Sequence, residues 1–97
     1  MELRFTWDPE KAKANRRKHG VSFVEAMAIF ADPFHIVVEN DFIEDEQRDM
    51  AIGRIANQTL VAMVFVDRSE PDIQVIRIIC ARKAVAYEKS QYQDQFD

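Results

Sequence analysis

The sequence predicts a single α+β domain over residues 1–97, a mostly antiparallel sheet packed with helices in the order β-α-α-β-β-β-β-α. Three observations carry this prediction. The chain opens on an alternating apolar stretch, two capped helical segments follow it, and the second half holds β-branched runs separated by turn residues. Ninety-seven residues are enough for one domain only, and a 47% hydrophobic fraction can supply its core.

Residues 2–7 alternate, with Leu3, Phe5 and Trp7 on one side, which reads as a half-buried strand. Asp8, Pro9 and Glu10 then supply an N-cap, a first-turn proline and a first-turn acid. The helix they start should run to Lys18 or His19, stopped by Gly20 in the left-handed region. Ser22 and Glu25 have capping-box spacing, with Val21 placed to staple onto Ala26. That second helix should continue through Phe30 and end at Asp32-Pro33. A short strand is expected over His35–Glu39 and an acidic loop over residues 40–47. Strands should follow over Arg48–Ile55, Leu60–Val66 and Ile73–Cys80, with turns at Asn57-Gln58 and at Ser69–Asp72. A last helix is expected from about Lys83 to Tyr92.

Thirteen Lys and Arg stand against seventeen Asp and Glu, a formal charge of −4. An average of this sign argues against nucleic acid as a partner, but the charge is unevenly spread. Residues 1–20 hold six bases and three acids, net +3, and residues 21–50 hold one base and eight acids, net −7. Residues 51–97 hold six of each and balance. The acidic stretch is either solvated or a surface for a basic partner segment; the second case implies a salt-sensitive complex. The lone Cys80 excludes an internal disulfide, and the two histidines lack the cysteine cluster of a zinc site. No apolar run approaches a membrane span, and MELRFTWDPE is not a signal peptide, so a cytoplasmic setting is expected.

The first helix has little to bury. Its interior apolar residues are Ala12 and Ala14, while Lys11, Asn15 and Lys18 share one side and five cations fall within eight residues. Such a helix presents charge to phosphates, to an acidic partner or to water. His19 either caps the helix or transfers protons, since imidazole titrates near neutrality. Arg48 and Arg54 share parity on one strand, roughly 20 Å apart at about 3.3 Å per residue, the two ends of a groove rather than one phosphate clamp. Arg77 and Arg82 fall on opposite parities of the last strand, Arg82 at its end. Glu88 and Tyr92 sit one helical turn apart, as a surface pair or as a bonded pair that positions a phenol.

The run Phe5-x-Trp7-Asp8-x-x-Lys11-x-x-x-Asn15-x-x-Lys18-His19-Gly20-Val21-Ser22-Phe23-x-Glu25-Ala26 closely resembles the opening of the BrnT family of bacterial toxins. Arg48, Ala51-Ile52-Gly53-Arg54, Leu60-Val61-x-x-Val64-Phe65 and Arg77-Ile78-Ile79-x-Ala81-Arg82-Lys83-Ala84 resemble its later blocks, in order. The resemblance implies a RelE-like fold and a growth-inhibiting ribonuclease toxin of a type II toxin–antitoxin pair. It implies a BrnA-like ribbon-helix-helix antitoxin, an RNA substrate, and operator DNA bound only through the antitoxin. No metal or other cofactor is implied. A 2′-hydroxyl would attack the neighbouring phosphorus, with His19, Arg48, Arg54 and Arg82 as catalytic residues. Lys11 and Lys18 would bind RNA, with Glu46 and Tyr92 as auxiliary groups. Where relatives carry arginines in the last helix, this chain has Val85, Ala86 and Tyr87. The alternative is therefore a weak or inactive homologue that binds the antitoxin and acts as co-repressor.

Overall fold

The computed structural model describes residues 2–97. Strand β1 (Glu2–Thr6) leads into helix α1 (Pro9–His19) and helix α2 (Phe23–Ala26), which tightens into a 3-10 turn over Met27–Ala31. Four strands follow, β2 (Ile36–Ile43), β3 (Glu46–Arg54), β4 (Leu60–Asp67) and β5 (Ile73–Lys83), and helix α3 (Ala86–Asp94) comes last. The sheet order is β1-β5-β4-β3-β2, with β1 parallel to β5 and every other pair antiparallel. The predicted class and element order are those observed.

The local signals act as their chemistry requires. Asp8 Oδ1 accepts the amide N–H of Glu10 at 2.9 Å and caps α1, and Gly20 closes it at φ 74° with its N–H on the Arg16 carbonyl. Ser22 and Glu25 exchange the two capping-box bonds, each 3.0 Å. Val21 and Ala26 are both buried in the main core with Phe23, Ile29, Met63 and Ile78. That core fills the side of the sheet covered by α1, α2 and the 3-10 turn. A smaller cluster of Met50, Ile52, Ala62 and Tyr92 lies on the other side, beneath α3.

Four expectations need correction. Residues 40–47 are not a loop: β2 runs to Ile43, β3 starts at Glu46, and Glu44-Asp45 form a two-residue turn with φ of 51° and 62°. Both turn residues are left-handed, the geometry a tight hairpin needs and usually takes from Gly or Asn, so the sequence carries no turn signal. The second helix becomes 3-10 at Met27. Lys83 ends β5 rather than starting α3, because Val61 pairs with Lys83 and the Ala84 N–H still bonds the Leu60 carbonyl at 3.0 Å. Finally, β5 carries a bulge at Ile79: Val64 faces Cys80 while Phe65 faces Ile78. The extra residue reverses parity. Ile76, Ile78 and Ala81 therefore share the main core, and Arg77, Cys80 and Arg82 share the other face.

Helix α1 is held in an unusual way. Its one buried residue is Asn15, which the sequence places on the charged side. β1 pairs with β5 only as far as Arg77. Beyond it, Asn15 Oδ1 accepts the Ala81 N–H at 3.1 Å, and Asn15 Nδ2 donates to the Ala81 carbonyl at 2.8 Å and the Val21 carbonyl at 3.1 Å. The amide thus substitutes for the missing neighbour strand. Asn15→Ala leaves these buried backbone groups unpaired, and a loss of about 2–4 kcal/mol is expected in urea denaturation. Asn15→Asp should cost at least as much, since its carboxylate would face two carbonyl oxygens. A loss below about 0.5 kcal/mol for both, within the range of ordinary surface changes, would show that the amide does not hold α1.

Candidate nucleic-acid interface

The cationic side chains fall into three places. Lys11, Lys18 and His19 line a groove of about 250 Å³ between α1 and the bulge of β5, with Ile79 and Cys80 opposite and Asn15 at its base. Gly20 rather than the imidazole caps the helix, so His19, half-buried, stays turned to this groove. Both lysines are exposed, and neither forms an ion pair among the described residues.

The second place is the sheet face opposite the main core. Pairing puts Arg77 beside Val66, and the β3–β4 register places Arg48 on that strand pair's same row. Two strand spacings of about 4.8 Å set them roughly 10 Å apart. Both guanidinium groups are free of ion pairs among the described residues, and Arg48 Nε is buried without any hydrogen-bond partner. A buried donor in that state is uncommon. Farther along the same face, Arg82 is already engaged. Its Nη1 and Nη2 donate to Glu88 Oε1 and Oε2 at 2.7 and 2.8 Å, and Glu88 Oε1 also accepts the Val85 N–H at 2.9 Å, starting α3. Glu88 and Tyr92 are both buried but do not bond one another. The hydrogen bond from Arg82 holds the Glu88 carboxyl below its ordinary value against the opposing effect of burial, and the same bond raises Arg82.

The third place is built on Asp32, read from sequence only as a helix stop. Its Oδ2 accepts the Arg54 N–H and the Tyr92 hydroxyl, each at 2.8 Å, and its Oδ1 accepts the Phe34 N–H at 2.9 Å. Burial pushes this carboxyl up, but the two amide bonds and the phenol outweigh it and hold the group below its ordinary value. Tyr92 is raised, first by burial and then by its bond to Asp32, to which its hydroxyl donates. The Arg54 guanidinium lies 5.6 Å above the Tyr92 ring and donates to the Gln58 carbonyl at 3.0 Å. Gly53 leaves tight room beneath this cluster, since a Cβ there would sit 3.0 Å from His35 Cβ and from Ile29 Cγ2 and press on both.

The sequence-derived residues therefore do not converge on one point. Lys11, Lys18 and His19 come together, and so do Arg54 and Tyr92. Arg48 is apart from both, Arg82 is locked to Glu88, and Glu46 accepts from Arg68 at 2.7 Å on the hairpin. Asp32, Asn15 and the Arg82–Glu88 pair escape sequence reading because nothing periodic links partners 6 to 66 residues apart.

Together these features describe a small α+β protein whose unpaired cations line a groove beside α1 and the sheet face opposite the main core. Comparison with protein-family models matches residues 7–88 to the ribonuclease toxin BrnT of type II toxin–antitoxin systems, and the chain belongs to that family. Among solved structures it is similar to the Brucella abortus ribonuclease toxin BrnT, at 24% identity and a TM-score of 0.62, covering 86% of this chain and 97% of that one. This second likeness is one of fold. Comparison with curated proteins gives no match.

The depressed carboxyls set a pH dependence. Glu88 binds its proton less readily folded than unfolded, so its contribution is complete above its ordinary value of 4.5 and is lost as pH falls through the lower folded value. Glu88→Gln should lower stability at neutral pH by about 2 kcal/mol and flatten the acid limb of the thermal-denaturation profile. A variant whose acid limb overlays the parent's would show that the Arg82–Glu88 pair does not govern it.

Proposed function

We propose that this chain is a growth-inhibiting endoribonuclease that cuts RNA without a metal ion. Supporting this reading is the α1–β5 groove, in which an imidazole stands with two unpaired lysines in a member of a ribonuclease toxin family. His19 takes the proton from a ribose 2′-hydroxyl as its oxygen bonds to the adjacent phosphorus. The bond from phosphorus to the 5′-oxygen breaks, and that oxygen takes up a proton. Arg48, on the open face of the sheet, supplies its guanidinium to another phosphate of the same strand. Lys11 and Lys18 draw the RNA backbone in. Arg54 acts from its stack on Tyr92, and Arg82 reaches phosphate only by exchanging it for the Glu88 carboxylate.

Type II systems pair the toxin with a protein antitoxin. We assign this role to a BrnA-like ribbon-helix-helix protein that carries the operator contacts, its basic segment meeting the acidic β2–β3 hairpin. A second reading, a non-catalytic antitoxin-binding co-repressor, is favoured by one observation: Arg54, Arg82 and Glu46 are all engaged within the protein.

Induction in cells separates the two. The parent should arrest growth and degrade RNA. His19→Ala should reduce cleavage about 10²–10⁴-fold and Arg48→Ala, which loses a phosphate contact, about tenfold or more, each restoring growth at equal soluble expression. Intact RNA and normal growth with the parent, together with antitoxin binding, would establish the co-repressor instead.

A further inference from the structure

A cleft of about 520 Å³ opens between the 3-10 turn and α3, at the end of the sheet opposite the Glu44-Asp45 turn. Phe34 and Phe96 form one wall, and Arg54 and Gln58 another. A second cleft of about 310 Å³ shares Arg54 and Gln58 and adds Lys83 and Lys89, so the two make one continuous groove. Neither shares a residue with the α1 groove.

Two properties of this groove stand together. The Phe34 and Phe96 rings pack edge to face, 5.1 Å between centroids, yet remain 49% and 48% exposed. Rings this bare are seldom left side by side without a use. Next to them, Arg54, Lys83 and Lys89 form no ion pair among the described residues. Asp32 is the acid of the lining, and its oxygens are already bonded to Arg54 N–H, Phe34 N–H and the Tyr92 hydroxyl. Three cations against this one carboxylate leave the lining net positive.

We propose that this groove binds single-stranded RNA, with bases stacked on Phe34 and Phe96 and phosphates held along Arg54, Lys83 and Lys89. A basic protein segment would be repelled by the three cations, and an acidic one would leave the ring faces without stacking partners. A strand of nucleotides meets both demands, because each unit carries a charge and a flat π-face. The assignment rests on the ribonuclease reading for its source of RNA and extends it. The groove grips substrate away from the bond that is cut, so it lowers KM and leaves kcat alone.

The test uses a fully 2′-O-methylated RNA of about 12 nucleotides, a length within known single-strand site sizes, whose blocked 2′-oxygens prevent cleavage. Its binding to the purified chain is followed by fluorescence anisotropy over a salt series. Phe34→Ala combined with Phe96→Ala should weaken binding about tenfold or more. Lys83→Ala combined with Lys89→Ala, both exposed positions, should weaken it less and lower the salt slope by about one. Either pair should raise KM for a cleavable RNA with kcat unchanged. Unaltered affinity in both pairs, in proteins that melt like the parent, overturns the proposal, as does failure of the parent to bind. Loss of a protein partner by the aromatic pair at constant RNA affinity also overturns it. Binding that depends on these side chains without any cleavage leaves the groove standing and defeats the ribonuclease reading. Cleavage with Kd and KM untouched by either pair does the reverse.

Discussion

Everything cationic at the edge of this molecule depends on one side-chain amide. A helix with two interior alanines as its apolar residues cannot be held to a sheet by hydrophobic burial. Asn15 does it by hydrogen bonding, taking both backbone groups of Ala81 where β1 no longer covers β5, and tying in the carbonyl of Val21. A backbone edge left open there would be buried and unsatisfied, so the interaction is made where its loss is most costly. Because the anchor is polar and small, the rest of α1 is free to carry charge. Lys11, Lys18 and His19 are then presented beside the β5 bulge at a fixed height over the sheet.

The opposite face divides its arginines between structure and availability. Arg82 and Arg54 are built into the seat of α3, one by a two-pronged bond to Glu88 and the other by its stack on Tyr92 and its amide bond to Asp32. Arg48 and Arg77 keep their charge for something outside the protein, and so does the Arg54 guanidinium, which is stacked but not ion-paired among the described residues. The bulge at Ile79 is what brings Arg77 and Arg82 onto the same face, and it is also the wall of the α1 groove. One extra residue in one strand therefore shapes both surfaces.

Much of the fold was legible in the sequence because it was written in local signals. The Asp8 cap, the Gly20 stop and the Ser22–Glu25 box are settled by neighbours within four residues, and the element order follows from them and from the β-branched runs. What could not be read has a common cause, which is dependence on distant partners. Alternation along residues 73–82 predicts Arg77 and Arg82 on opposite faces, and only the pairing with β4 reveals the bulge that unites them. The Glu44-Asp45 turn lacks the glycine or asparagine that would have announced it. Asn15 looks like part of a charged stripe until Ala81 is beside it. The family blocks named His19, Arg48, Arg54 and Arg82 together, whereas the fold separates them into a groove, an open face, the cleft beside α3 and a lock on Glu88.

The net charge of −4 acquires a different meaning once it is distributed. Six of the seventeen acids are gathered on the β2–β3 hairpin, while lysines and arginines line the α1 groove and the cleft beside α3, so the average is a poor guide to what either surface meets. The most direct test of the central claim is the chemistry of the cut ends. Purified protein is incubated with RNA in excess EDTA and the products are resolved by end group. The expected result is cleavage that persists in chelator, leaves 2′,3′-cyclic phosphate and 5′-hydroxyl ends, and disappears with His19→Ala. RNA left intact by folded protein, or cut only when a divalent metal is restored, would contradict it.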